Sequence, residues 1–257
     1  MPAGLPAAPE GQPRRDTPGP MPRSTPVDGF TLAYERSGSG PAVVLLHGWP
    51  GDRGDYRALA PLLAGYDIGS RIAQALARSA PHRVRGLVLA PPLPGVGDRV
   101  LAAEAQREFW YQAFHQLELA EQLVDGDAGT VRSYLRHFWS HWSGPTFELA
   151  EADFDRLVEH YAAPGAFTAS IGWYRAGSGT VATSLAETTP APDARILTPA
   201  RVLWPAHDPL FPPAWSDRLD DFFADADLTP MPAAGHFSPL EAPEAWGAAI
   251  SGFAGHG

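Results

Sequence analysis

Neither cysteine nor lysine occurs anywhere in the 257 residues. Without cysteine there are no disulfides, no thiolate zinc sites and no cysteine nucleophile. All 19 basic residues are arginine, so Schiff-base chemistry, a pyridoxal-phosphate anchor and a P-loop lysine are excluded as well. Long apolar runs are missing: PAVVLLHG, among the longest, is far short of the roughly 18 residues that a membrane span requires. Positive charge is scarce too. The net charge is -10, the pI is near 5.3 and no basic cluster exceeds Arg14-Arg15, which argues against a nucleic-acid partner. The amino-terminal MPAGLPAAPEGQPRRDTPGP lacks the continuous apolar stretch of a signal peptide, so the expectation is a cytoplasmic protein without a membrane partner.

What is present is enough apolar residue, 44%, for one sizeable core in a chain of this length. Residues 1–26 are rich in Pro, Gly and Ala without periodicity and read as a disordered tail. GFTLAYERSG alternates as a strand does, and PAVVLLHG is apolar throughout, as a strand buried on both faces is. DYRALAPLL has helical character. GSRIAQALARSA places Ile72, Ala75 and Leu76 on one helix face, and RVRGLVLAPP is a further buried strand. Residues 93–190 change texture: RVLAAEAQREFWYQAFHQLELAEQLV and DAGTVRSYLRHFWSHW are helical in pattern and dense in aromatics. Strand character returns in ARVLWPAHD and LTPMPAAGHF, before a closing helix in PEAWGAAISGFA. Such alternation predicts an α/β fold with a mostly parallel sheet covered on both faces. The core is built from residues 27–92 and 191–257, and the helical stretch is inserted between them.

Within that frame, Gly65-Tyr66-Asp67-Ile68-Gly69 has the form Gly-x-nucleophile-x-Gly, in which glycines let a strand turn sharply into a helix. Taken alone, the pattern is weak and reads more readily as a surface Asp capping the helix that follows. Two partners change the weighting. Asp208 closes the strand RVLWPAH and His236 follows the next one, so nucleophile, acid and histidine occur in that order at three strand ends. His47-Gly48-Trp49-Pro50 adds a turn after the first buried strand, where the backbone N–H of Trp49 can join that of Ile68 as an oxyanion hole.

On these residues the chain resembles the α/β-hydrolase superfamily, in its epoxide hydrolase and haloalkane dehalogenase branch, from about residue 25 onward. The resemblance implies Asp67 as nucleophile, His236 as general base, Asp208 as its orienting acid and residues 93–190 as a helical cap. No cofactor or metal is implied. An aspartate suits a saturated electrophile, because attack there gives an ordinary alkyl ester that activated water can cleave. Epoxides, unlike halides, also need a proton donor. Tyr111 in FWYQAF and Tyr174 in GWYRA resemble the two cap tyrosines that serve epoxide hydrolases. Haloalkane dehalogenases usually carry Trp after the nucleophile and Asn after His-Gly, whereas this chain has Ile68 and Trp49.

Epoxide hydrolysis is therefore the expectation. A dehalogenase-like hydrolase, or a degenerate homologue that binds a small molecule without turnover, is the alternative. Phe109, Trp110, Trp173 and His47 are the candidate substrate contacts, and an aromatic pocket would suit a bulky apolar epoxide. A homodimer is left open. His137 and His141 share a helix face at i, i+4 but lack an adjacent HExxH glutamate and an evident third ligand.

One spacing does not fit. Asp67 follows His47 by 20 residues. The family places a helix, a strand, a loop, a second helix and the strand before the elbow in that interval, roughly 60 residues at about 1.5 and 3.3 Å of rise per residue. The stretch between residues 51 and 65 is thus shortened by roughly 40 residues, which predicts loss of a central strand and unpaired backbone on its neighbours.

Overall fold

The computed structural model describes residues 22–27, 29–36, 44–52, 55 and 64–254. Two compact units divide the chain, Met1–Gly40 and Pro41–Gly257. In the first unit residues 22–27 and 29–36 pair as a tight antiparallel hairpin, with bridges Arg23–Ala33 and Val27–Phe30, Gly29 at φ 83°, and Ser24 N–H donating to Leu32 O at 2.8 Å. The single strand expected in GFTLAYERSG is one arm of this hairpin. Residues 22–26, expected in the unstructured tail, form the other. Glycine at positive φ supplies the turn.

The second unit holds a five-stranded, all-parallel sheet whose spatial order is the chain order: β1 (Leu45–Leu46), β2 (Ala64–Gly65), β3 (Leu87–Leu89), β4 (Ala200–Pro205) and β5 (Ala226–Met231). The apolar runs PAVVLLHG, RVRGLVLAPP and ARVLWPAHD supply β1, β3 and β4, and β2 and β3 are buried throughout, as strands covered on both faces must be. β1 departs from that expectation. Val44 is exposed and Leu45 and Leu46 are half-buried, because among the described residues no strand pairs its outer edge. The shortening has a different consequence from the one predicted: β1 pairs directly with β2, Leu45 against Ala64 and Leu46 against Gly65, so no gap opens between the two strands that carry the loops of interest. The helix expected in DYRALAPLL lies outside the described residues, apart from Asp55.

Helix α1 (Ile68–Ser79) follows β2, and its buried face is Gly69, Ser70, Ala73, Gln74 and Ala77. Ile72 and Leu76, which the periodicity would turn inward, are 42% and 39% exposed. Small residues win that face because the helix lies directly on the sheet. A Cβ on Gly69 would come within 1.9 Å of the Leu46 carbonyl oxygen.

Eight helices lie between β3 and β4: α2 (Ala103–Glu108), α3 (Trp110–Phe114), α4 (Glu118–Val124), α5 (Ala128–Trp142), α6 (Glu151–Ala162), α7 (Ala166–Ser170), α8 (Gly172–Arg175) and α9 (Thr180–Leu185). The Asp127 carboxylate caps α5 through Thr130 N–H, and Val131, Leu135, Phe138, Trp139 and Trp142 form its buried stripe. The helical run expected over 99–124 is broken into three. Breaks at Phe109 and around His115 bring Phe109, Tyr111, Gln112 and His115 all inside, so tertiary burial overrides local propensity. After β4 come α10 (Leu219–Phe222), β5, α11 (Ser238–Glu241) and α12 (Pro243–Ala254). Among the described residues no helix is long and apolar enough to cross a membrane.

The contact under Gly69 is testable. Gly69→Ala must push α1 off β1, with an expected loss of about 1–3 kcal/mol or more in chemical denaturation. Ala73→Ser on the same face serves as the mild control.

Candidate active site

Asp67 sits at the junction of β2 and α1 with φ 49°, the one non-glycine residue at positive φ among the described residues. A side chain in that conformation costs about 1–3 kcal/mol and persists only where its surroundings hold it. Here its own N–H donates to Pro91 O at 2.9 Å, and its Oδ2 accepts from Trp49 N–H at 2.8 Å. The nearby Ile68 N–H also favours the ionised carboxylate. The tight turn depends on glycine on both sides of the contact: a Cβ on Gly48 would lie 2.5 Å from the Asp67 Cβ. The backbone donors expected at Trp49 and Ile68 thus converge on one carboxylate.

Asp208 follows β4 and His236 follows β5. His236 Nδ1 and Asp208 Oδ2 are 2.9 Å apart and both side chains are buried, while Asp208 Oδ1 accepts from Leu210 N–H at 2.9 Å. The other imidazole nitrogen, Nε2, is buried without a hydrogen-bond partner. Burial pushes His236 down, but the charge and hydrogen bond of Asp208, with Asp67 and Glu241 behind them, leave it above the ordinary histidine value. Burial raises Asp67, against the opposing pull of His236 and the Trp49 and Ile68 N–H groups.

A small cavity opens over Asp67, bounded by Ile68, Arg71, Pro92, Tyr111, Trp173, Tyr174, Ser178 and Thr180. Its free volume is about 10 Å³, room for roughly one water. Tyr111 and Tyr174 are buried, their ring centroids 5.6 Å apart. Burial, with the Asp67 charge adding to it, pushes both phenols well above their usual range. Gln112 Nε2 donates to Tyr111 Oη at 3.2 Å and its Oε1 accepts from Val181 N–H at 3.1 Å, which ties α3 to α9.

Of the candidate substrate contacts, Trp173 lines this cavity and three others do not. His47 is exposed. Phe109 packs on Phe211 at 5.8 Å, and Trp110 is part-exposed and stacked on Phe138. The reason is rotation along α3: the face that points Tyr111 at Asp67 turns Trp110 outward. Nor do the aromatics line a roomy pocket for a bulky substrate. Trp49, Tyr111, Phe138, Trp142 and Tyr174 pack against one another. His141 Nε2 meets Glu108 Oε2 at 2.7 Å, and no metal-holding cluster of His, Cys, Asp or Glu occurs among the described residues.

Glu241 escaped notice in the sequence. Its Oε2 accepts from Gly144 N–H at 2.8 Å and Gly235 N–H at 2.6 Å, and its Oε1 from Phe237 N–H at 3.0 Å, so one carboxylate fastens the His236 loop to the end of α5. Trp139 adds to this by stacking on Phe237 at 3.6 Å and donating Nε1–H to Pro50 O. The spacing of Glu241, five residues after His236, was the available signal. His115 was equally unremarked: it is buried against Tyr174 at 4.8 Å, and burial, then the Arg175 charge, lowers it to about 3, so it stays neutral.

The sequence profile of the alpha/beta hydrolase fold family matches residues 63–243. No curated protein matches the sequence. Among solved structures, an epoxide hydrolase from Bacillus megaterium in complex with an inhibitor superposes with a TM-score of 0.73 at 16% identity, over 91% of this chain and 99% of that one. An epoxide hydrolase from metagenomes of hot environments gives 0.72 at 21%, over 92% and 99%. A third, described as epoxide hydrolase CorEH without ligand, gives 0.75 at 19%, over 91% and 97%. At these identities the likeness establishes the fold.

The electrostatic balance at His236 has a direct readout. In Asp208→Asn the charge that offsets burial is gone, so the His236 pKa, followed by NMR titration, falls from above 6.5 to below it.

Proposed function

The chain belongs to the α/β hydrolase fold family, and from that premise we propose that it is an epoxide hydrolase, opening an epoxide to a vicinal diol through an ester on Asp67. The observation that carries this reading is the pair of buried phenols, Tyr111 and Tyr174, facing the same one-water cavity as the Asp67 carboxylate. A halide leaves as a stable anion and needs no acid, whereas an opening epoxide does. Residues 93–190 act as the cap that brings that acid to the nucleophile.

In the first step Asp67 Oδ1 attacks an epoxide carbon, the carbon–oxygen bond breaks, and the departing oxygen takes a proton from Tyr111 or Tyr174. Their raised pKa values keep the phenols protonated. Oδ2 stays with the N–H groups of Trp49 and Ile68. In the second step His236 Nε2, held by Asp208 through Nδ1, removes a proton from water as it adds to the Asp67 Cγ. Charge gathers on Oδ2, where the two N–H groups stabilise it, Cγ–Oδ1 breaks as Oδ1 takes the proton from His236 to release the diol, and the proton left on the new acid returns to the tyrosinate. Loss of one such donor typically costs about 100- to 1,000-fold in rate. The carboxylate returns with one oxygen from water. Because the cavity holds about one water, any epoxide enters only after the aromatic side chains or helices above Asp67 move.

Single turnover in ¹⁸O-water with an aromatic epoxide is expected to give a diol and to place label in the Asp67 carboxylate, with no diol from Asp67→Ala; diol formation that survives this substitution refutes the mechanism. Halide release from haloalkanes is expected to be absent.

Replacing Tyr111 and Tyr174 together with Phe is expected to lower the rate of ester formation by about 100- to 10,000-fold, the usual worth of a general acid. The pH profile follows from the same groups. Asp67 must be ionised and is raised above 3.8, so activity is lost on the acid side at a higher pH than for an ordinary carboxylate. Ester hydrolysis needs neutral His236, so its rate climbs with pH through the histidine's pKa, which Asp208 holds up and which falls as the ester removes the Asp67 charge.

A further inference from the structure

Asp55 is a buried carboxylate, 2% exposed, that takes no part in the two chemical steps above. Its Oδ2 accepts from the Tyr66 hydroxyl at 2.6 Å and its Oδ1 from Asp52 N–H at 3.3 Å. Tyr66 is itself fully buried, immediately precedes Asp67 and meets the His236 ring edge-on at 5.7 Å. The pair therefore ties the chain after the Trp49 turn to the residue beside the nucleophile.

The turn that carries the Trp49 N–H rests directly on this pair. A Cβ on Gly48 would come within 3.1 Å of Tyr66 Cε2, and one on Gly51 within 1.9 Å of Asp55 Oδ2 and 2.9 Å of the Tyr66 hydroxyl oxygen. Glycine on either side of Trp49-Pro50 thus leaves the backbone touching both phenol and carboxylate. The helical insertion holds the same turn through its carbonyls, since Trp139 donates to Pro50 O at 3.2 Å and Tyr161 to Gly51 O at 3.1 Å. The Asp55–Tyr66 bond ties it instead to the elbow.

Burial raises the Asp55 pKa to about 6, against the Tyr66 hydroxyl and the charge of His47, while the Asp52 charge adds to the rise. Asp52 in turn meets Arg156 and, at 3.3 Å, His160 of α6, and Tyr161 of that helix faces both carboxylates. Asp55 is therefore ionised at neutral pH. The folded carboxyl holds its proton to a higher pH than the unfolded one, so the fold loses stability as pH rises through about 6 and Asp55 ionises. A neutral amide would fill the same space without that loss. What the charge adds is strength, because an ionised acceptor makes a hydrogen bond roughly twice as strong as a neutral one.

We propose that Asp55 is a positioning residue: by holding the Tyr66 hydroxyl against the glycines of the turn, its carboxylate fixes the Trp49 N–H on Asp67 Oδ2. The kinetic consequence rests on the epoxide hydrolase reading, in which that N–H stabilises the charge formed during ester hydrolysis. When Asp55 takes a proton, the bond to Tyr66 weakens and the turn loosens.

The first test follows the Trp49 amide by ¹⁵N NMR against pH in Asp67→Asn, where the group it bonds no longer titrates, and again after adding Asp55→Asn or Tyr66→Phe. The amide is expected to shift with a midpoint near 6 in Asp67→Asn and to lose that transition in both double variants. His47, His160 and His236 remain in all three, so a shift that they cause persists. The second test is single turnover at pH 8. Asp55→Asn and Tyr66→Phe are each expected to slow ester hydrolysis by about 10- to 100-fold, the effect of a catalytic donor misplaced by about 1 Å, and to slow ester formation less. Combined, they slow it no further than either alone, as a coupled pair does. The melting temperature of Asp55→Asn at this pH is expected to be no lower than native, because a buried charge is removed.

A Trp49 amide indifferent to Asp55 overturns the proposal, whatever the enzyme turns over. So does ester hydrolysis unchanged in Asp55→Asn, or an equal slowing of both steps together with a lower melting temperature, which makes Asp55 part of the framework. If no epoxide is opened yet the amide follows Asp55 through Tyr66, the positioning role stands and the epoxide hydrolase reading fails. If neither occurs, both fail.

Discussion

The hydrogen bond from Trp49 N–H to Asp67 Oδ2 is the contact on which the rest of the site depends. It exists because β1 and β2 are hydrogen-bonded neighbours, so the turns at their carboxyl ends open side by side. It in turn restrains Asp67 at a backbone conformation that no side chain adopts freely. Gly48 and Gly69 are the cost of that closeness, for neither position has room for a methyl group. The unusually short chain between His47 and Asp67 leaves this arrangement intact, since the two strands it joins meet directly.

Electrostatics at the centre is a balance of burial against a few fixed partners. Burial favours neutral forms and raises Asp67 while lowering His236. Asp208 and Asp67 reverse the histidine's shift, and the N–H groups of Trp49 and Ile68 counter that of Asp67. Glu241 takes no proton in the chemistry proposed, but its three backbone bonds fix the loop that carries His236. The bonding reaches the end of α5, so the helical insertion and the histidine loop share one anchor.

The helical insertion works by aromatic packing more than by cavity. Trp49 stacks on Tyr111 at 5.6 Å and meets Tyr174 edge-on at 6.1 Å, so the residue whose backbone holds Asp67 also seats the two phenols. Such a cluster is dense, as interiors are, and leaves room for about one water over Asp67. Any ligand that reaches Asp67 therefore has to displace protein as well as water.

Much of this was legible in the chain. Buried strands announce themselves as continuous apolar runs, the elbow as two glycines around Asp67, and the partners as Asp208 and His236 at successive strand ends; each of these signals is local, set by steric rules that act within a few residues. Tyr111 and Tyr174 were marked by resemblance, and the structure brings both to the cavity that Asp67 shares. What local rules could not decide was direction and neighbourhood. The outward turn of Ile72 and Leu76, the exclusion of Trp110 and Phe109 from the cavity and the hairpin at residues 22–27 and 29–36 all follow from what lies against each side chain, and that is set by contacts between residues far apart in sequence. The sequence by itself determined the candidate groups and their order; the packing of α1 on the sheet and of the aromatic helices over Asp67 decided which groups meet, because burial, and with it every shifted pKa in the site, is a property of the assembled layers and not of any segment.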